Sequence, residues 1–99
     1  MSITISNYTF EGPYGDTTYL KDASGVYAIL CRNNGEYHPI DVGESETVKS
    51  RVDNHDRKSC WTRNCSGTLS VAVLYAHDGL RQIIEQILRK TYHLPCGER

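Results

Sequence analysis

Apolar positions cluster in three stretches of the chain, each with its own period. From Val26 to Arg32 the residues are β-rich. Asn33-Asn34-Gly35-Glu36 follows, with Asn34-Gly35 at the centre of a type I′ turn, the strongest short-range hairpin signal. Tyr37 to Val42 is the returning strand. In the plain two-residue register Tyr27 faces Val42 and Asp41 lies on the other side of the sheet, since one residue of slip reverses every side chain. Pro39 implies an edge position or a bulge, and a bulge there would turn Asp41 inward. Leu69 to Tyr75 is an apolar run between Gly67 and Asp78-Gly79, which predicts a buried central strand. Leu80, Ile83, Ile84, Ile87 and Leu88 then keep the i, i+3, i+4, i+7, i+8 stripe of an amphipathic helix, with Asp78 as N-cap and Pro95 and Gly97 closing it.

Between hairpin and central strand the pattern is weaker. Gly43-Glu44-Ser45 is expected to open a helix of about ten residues with Ser45 as its N-cap. Val48 and Val52 mark its buried side, and Arg51 and His55, at i+3 and i+7 from Val48, turn toward the same side. Residues 56 to 67 read as a polar, basic loop around Trp61. Residues 1 to 24 alternate weakly and hold at most one short strand or hairpin, whose tyrosines cover the sheet.

Composition bounds this picture. Ninety-nine residues with 38% hydrophobic and 23% charged content predict one soluble domain spanning 1–99. The net charge of -1 hides an asymmetry: residues 1 to 47 carry 2 Lys/Arg against 7 Asp/Glu, residues 48 to 99 carry 9 against 5. A polyanion would therefore bind the second half, where Lys49, Arg57, Lys58, Arg63 and the stacking-capable Trp61 are the nucleic-acid-binding candidates. Met1 to Phe10 lacks a basic start and an apolar run, so the four cysteines are expected to be free thiols in the cytoplasm. No stretch approaches the roughly 18 apolar residues of a membrane span, so no membrane role is expected. Cys60 and Cys65, with His55, His93 and Cys96, have loose zinc-like spacing without a second pair to complete it, and zinc is disfavoured.

Laid out in order, these elements resemble the GIY-YIG nuclease family. Gly25-Val26-Tyr27 stands as the first motif, Asp41-Val42-Gly43 where the second is expected, Arg51 as the arginine of the following helix and Glu85 as the glutamate of the last one. The resemblance covers a core of about residues 24 to 97, with residues 1 to 23 as an N-terminal extension. It implies an α+β fold, a small three-stranded antiparallel sheet flanked by helices. It also implies metal-dependent endonuclease chemistry on DNA or RNA: Glu85 holding Mg²⁺ or Mn²⁺, Arg51 on the scissile phosphate, Tyr27 at the attacking water, and His55 where some members carry a histidine. Hard cations, oxygen ligands and a planar guanidinium suit that reaction. Two positions depart from the pattern. Asp41 replaces a tyrosine, leaving it as an extra ligand or base, and Pro95-Cys96-Gly97 stands in place of an asparagine. The alternative reading is a catalytically impaired module of the same type that binds nucleic acid or a protein partner, with a homodimer or partner supplying the charge that a net -1 chain lacks.

Overall fold

The computed structural model describes residues 1–97. Strands β1 (Ser2–Ile5), β2 (Tyr8–Tyr14), β3 (Gly25–Asn33), β4 (Glu36–Ser45) and β5 (Thr68–Tyr75) form one antiparallel sheet in the order β1-β2-β5-β3-β4. A 3-10 turn (Thr17–Tyr19) and helices α1 (Val48–Asp53), α2 (Lys58–Arg63) and α3 (Asp78–Thr91) complete it. The sheet has five strands, which corrects the expectation of three. The added pair comes from the N-terminal residues, where Ile5 faces Tyr8 across a two-residue turn and Glu11 and Tyr14 pair with Val73 and Val71. Without β2 the apolar centre of β5 would lie on an open edge, which an exposed hydrophobic strand does not tolerate well. The turn was silent in sequence because Ser6 holds φ 58°, a backbone setting usually signalled by glycine.

The expected hairpin is present, with Asn34 at φ 55° and Gly35 at φ 78°. Its register starts plainly, Leu30 opposite Pro39, and then shifts by one so that Ile29 faces Asp41 and Tyr27 faces Gly43. Ile40 is the extra residue of a bulge beside Pro39. The plain register, Tyr27 opposite Val42, is thereby corrected: the bulge brings Asp41 onto the same face as Tyr27.

Helix α1 has six residues, and Gly43 to Ser45 belong to β4, not to a helix start. The strand runs on because Gly25 and Val26 pair with Ser45 and Glu44. Thr47 occupies the N-cap, while Ser45 Oγ accepts from its N–H at 3.0 Å. The basic loop around Trp61 contains α2, a further correction. Its cysteines are not free thiols: Cys31 is bonded to Cys65 and Cys60 to Cys96, which straps α2 to β3 at one end and to the C-terminal segment at the other.

Helix α3 covers the opposite face of the sheet, but rotated from the expected stripe. Ile84, Leu88 and Arg81 are buried, whereas Leu80, Ile83 and Ile87 are exposed, Ile83 by 56%. The rotation has a tertiary cause. Arg81 reaches Glu44 Oε1 at 2.6 Å and Ser24 Oγ at 2.9 Å, and it pairs with Asp78, whose side chain serves the first turn while His77 is the N-cap. The outer edge of β4 is then covered rather than open: Cys96 N–H donates to Ile40 O and Arg89 Nη2 to Val42 O. Two hydrophobic cores result. Tyr27, Ile29, Val48, Val52 and Trp61 pack on the α1–α2 side, and Val26, Ala28, Val42, Ile84 and Leu88 on the α3 side. Among the described residues no helix is long and apolar enough to cross a membrane.

Candidate active site

Two glycines shape the site before any polar group enters. A Cβ on Gly43 would lie 2.2 Å from Tyr27 Oη, and one on Gly25 2.7 Å from Leu74 O. The Tyr27 ring therefore lies across Gly43, its cross-strand partner, and only glycine leaves room for its hydroxyl there.

Around that hydroxyl the α1–α2 segment assembles a polar group inside the core. Tyr27 Oη is 2.7 Å from His55 Nε2. The other ring nitrogen, Nδ1, accepts the Arg57 backbone N–H at 3.0 Å. A nitrogen that accepts carries no proton, so His55 is the Nε2–H tautomer and donates to Tyr27. Asp56 Oδ1 also approaches Nδ1, at 3.4 Å, which would favour a proton there. The shorter contact from a fixed backbone donor decides the tautomer, because Asp56 is exposed and engaged by Arg51. Burial, with Arg51 and Arg57 adding to it, pushes the His55 pKa down to about 4, so the ring is neutral at pH 7. Burial likewise pushes Tyr27 up to about 12, against the opposing pull of Arg51. Tyr27 thus accepts from His55 and keeps its own proton to donate.

Asp41 sits beneath this group, fully buried. Its Oδ2 accepts from Arg57 Nε at 2.9 Å and from Trp61 Nε1 at 2.7 Å, and Oδ1 from Arg57 Nη2 at 3.2 Å. Such a carboxylate is fully paired. It fastens α2 to β4, and through the Arg57 backbone it fixes the His55 ring. Tyr27, Arg51, His55, Asp41, Arg57 and Trp61 are therefore brought together on one face.

Glu85 comes from the other layer. It pairs with Arg89 at 2.7 Å, a contact foreseeable from their i, i+4 spacing. Arg81, Glu85 and Arg89 lie along one line of α3, and their neighbours on β4 are Glu44 for Arg81 and Val42 for Arg89. Glu85 lies one turn from each of these arginines, on the face of the sheet opposite the Tyr27 group. The i, i+4 spacing of Glu85 with Arg81 and Arg89 is the sequence signal for such a pairing, and the structure realises it with Arg89.

The remaining nucleic-acid candidates are spread more widely. Lys49 pairs with Asp53 at 3.3 Å, Lys58 Nζ donates to Asp53 O at 2.6 Å, and Arg63 is exposed in the last turn of α2. Trp61 is 5% exposed, with its N–H given to Asp41. Among the described residues no group of three or more His, Cys, Asp or Glu is arranged to hold a metal, and the cysteines considered for zinc are bonded to each other. Glu85, the carboxylate expected to hold a hard cation, is in an ion pair with Arg89. No family model matches this chain, and neither does any curated protein or solved structure.

Proposed function

We propose that this chain is a metal-dependent endonuclease of GIY-YIG type, acting on DNA or RNA phosphodiester bonds. The observation that supports it most is the Tyr27–His55 contact beside Arg51, built at a glycine that admits nothing else. In this reading Arg51 meets the scissile phosphate, where a permanently charged planar fork suits the charge gathered in the transition state. Displacing the exposed Asp56 carboxylate frees it at little cost. Tyr27 orients the attacking water, and His55 steadies any phenolate that forms through its Nε2–H. Mg²⁺ or Mn²⁺ held on Glu85 would supply charge neutralisation at the phosphate and a more acidic water. Asp41 is assigned a positioning role, since both its oxygens are taken.

One observation favours a second reading. A tyrosine held near pKa 12 is a poor base at neutral pH, which suits a module that binds nucleic acid or a protein without cutting. Glu85→Gln separates the two. In the nuclease it abolishes Mg²⁺- or Mn²⁺-dependent cleavage of labelled single- and double-stranded DNA and RNA while the circular dichroism spectrum is unchanged. Absence of cleavage by the wild-type chain, with affinity unaltered in the variant, selects the binding module. The cytoplasmic setting inferred from free thiols is not carried forward, because two disulfides persist best in oxidising surroundings.

A further inference from the structure

The two disulfides both end on the α2 segment, yet they are not equivalent. Cys31 and Cys96 are buried, whereas Cys60 and Cys65 are half-buried, so each bridge shows solvent one sulfur. Among the hydrogen bonds of the described residues, only the Cys60–Cys96 bridge has a side-chain donor at its sulfurs. Asn64, one turn after Cys60, holds its Nδ2 3.3 Å from Cys60 Sγ and 3.6 Å from Cys96 Sγ. That amide carries two hydrogens: Cys60 O takes one at 2.9 Å, and the sulfurs share the other. A closed bridge gains little from such a donor, but a thiolate gains more, because charge on the acceptor strengthens the bond. The donor therefore favours the open state of this bridge.

What the bridge holds is α2, not the C-terminal segment. That segment keeps its own ties: Cys96 N–H donates to Ile40 O at 2.9 Å, Leu94 is buried, and Arg89 Nη1 holds Gly97 O. Helix α2 has no such backbone ties to the sheet, since the backbone-to-backbone hydrogen bonds of residues 58–65 stay within 57–65. Six residues do not keep a helix by themselves. With Cys60 released, α2 is left with Cys65 on Cys31 and with Arg57 and Trp61 on Asp41. Trp61 directly follows Cys60 and packs in the same core cluster as Cys96, so it is the first side chain to feel the change.

We propose that Cys60–Cys96 is a redox-labile site: a dithiol opens it while Cys31–Cys65 stays closed, and its opening loosens Trp61 and Arg57 from Asp41. A thiolate of the dithiol attacks the accessible Cys60 Sγ and forms a mixed disulfide. The bond to Cys96 breaks, and Cys96 Sγ leaves as a thiolate that accepts from Asn64. The dithiol's second thiol then closes on its own first sulfur and releases Cys60. Two electrons pass to the bridge; the reductant ends as a cyclic disulfide, and its two protons end on Cys60 and Cys96. Because the Arg57 backbone N–H fixes the His55 ring, the same event frees the imidazole beside Tyr27. The candidate site is thus ordered when the bridge is closed and relaxed when it is open.

Trp61 is the one tryptophan in the chain, so its indole N–H gives a single NMR signal that reports on α2. The full oxidised chain is treated with dithiothreitol at pH 7, and the thiols that appear are trapped with iodoacetamide and located by peptide mass spectrometry. Cys60 and Cys96 are expected to be trapped about 10-fold faster than Cys31 and Cys65. The indole signal should move in step with them while the amide spectrum stays dispersed. Asn64 is exposed, and Asn64→Ala should slow this bridge about 5-fold, the share of one hydrogen bond, and leave the other at its own rate. Cys60→Ser with Cys96→Ser should show the moved indole signal before any dithiol is added. Opening of Cys31–Cys65 first or together with Cys60–Cys96, or an indole signal unmoved by reduction or in the double variant, overturns the proposal. So does a wild-type rate in Asn64→Ala. None of these readouts requires cleavage, so the nuclease reading fails or holds separately.

Discussion

His55 is neutral and donates, and this decides what Tyr27 can do. Its pKa of about 4 in the fold, against 6.5 when unfolded, has a consequence for stability. Between pH 6.5 and 4 the unfolded chain takes up a proton that the folded chain refuses, so stability falls as pH drops through that window. Thermal midpoints measured from pH 7 to 4 should decline, and His55→Gln, which can still donate to Tyr27, should flatten the decline. The depressed carboxylates, Asp16, Asp22, Asp53 and Asp56, add their losses only below their usual value of 3.8, so the two contributions separate. An unchanged pH slope in the variant would remove His55 as its source. Tyr27 carries the matching kinetic expectation. If its phenolate is the base, a pKa near 12 leaves about one molecule in 10⁵ ionised at pH 7, and cleavage should rise about tenfold per pH unit up to pH 10. Tyr27→Phe should lower cleavage about 10²- to 10⁴-fold. It also leaves the buried His55 N–H without an acceptor, costing about 1–3 kcal/mol in urea denaturation. A flat pH–rate profile with full activity in Tyr27→Phe would show that the tyrosine is merely packed.

Helix α2 shows where sequence patterning loses its grip. Its six residues have no stripe strong enough to mark a helix, and isolated helices that short are unstable in water. Tertiary bonds hold it instead: Trp61 and Arg57 on Asp41, Cys60 on Cys96, Cys65 on Cys31. None of these partners is local, so no window of residues displays them. The same cause hid the turn of α3, where Arg81 displaced Leu80, Ile83 and Ile87 from the core because Glu44 and Ser24 wait on β4 and its neighbour segment. What was legible was local: the Asn34-Gly35 turn, the β5 run, the existence of α3, and the approach of Arg51 and His55 to Tyr27. Pro39 signalled the bulge but not its outcome for Asp41, which depends on α2. A disulfide closing a loop of 34 residues is worth about 4 kcal/mol by loop-closure entropy, a large share of a small domain's stability. Cys31→Ser with Cys65→Ser should lose about that much in urea denaturation, and adding Cys60→Ser with Cys96→Ser should lose less than a second equal amount, because the two loops overlap between residues 60 and 65. Full stability in the fourfold variant would show that the straps are dispensable.

Across the whole molecule, charge pairing limits how the chain can hold a polyanion. Of its eleven Lys and Arg residues, Lys49, Arg51, Arg57, Arg81 and Arg89 are in ion pairs with carboxylates of the same chain. Two of these pairs join the halves, Arg57 on Asp41 and Arg81 on Glu44, while Lys49, Arg51 and Arg89 pair with carboxylates of the second half itself. On the face that carries Tyr27, the cations best placed for phosphate are Arg51, whose partner Asp56 is 75% exposed, with Lys58 and Arg63 on α2. Three phosphate contacts give a slope of log affinity against log salt of about -2 on single strands and about -3 on duplex. Fluorescence anisotropy with labelled oligonucleotides between about 50 and 200 mM salt measures it directly. A slope steeper than about -5 would require five or more phosphates and hence a footprint beyond this face, extending to Arg32 or Lys90, or a second copy of the chain sharing the strand. Arg51→Ala should flatten the slope by about one unit, because it removes one phosphate contact, and an unchanged slope would show that the strand does not lie at Arg51.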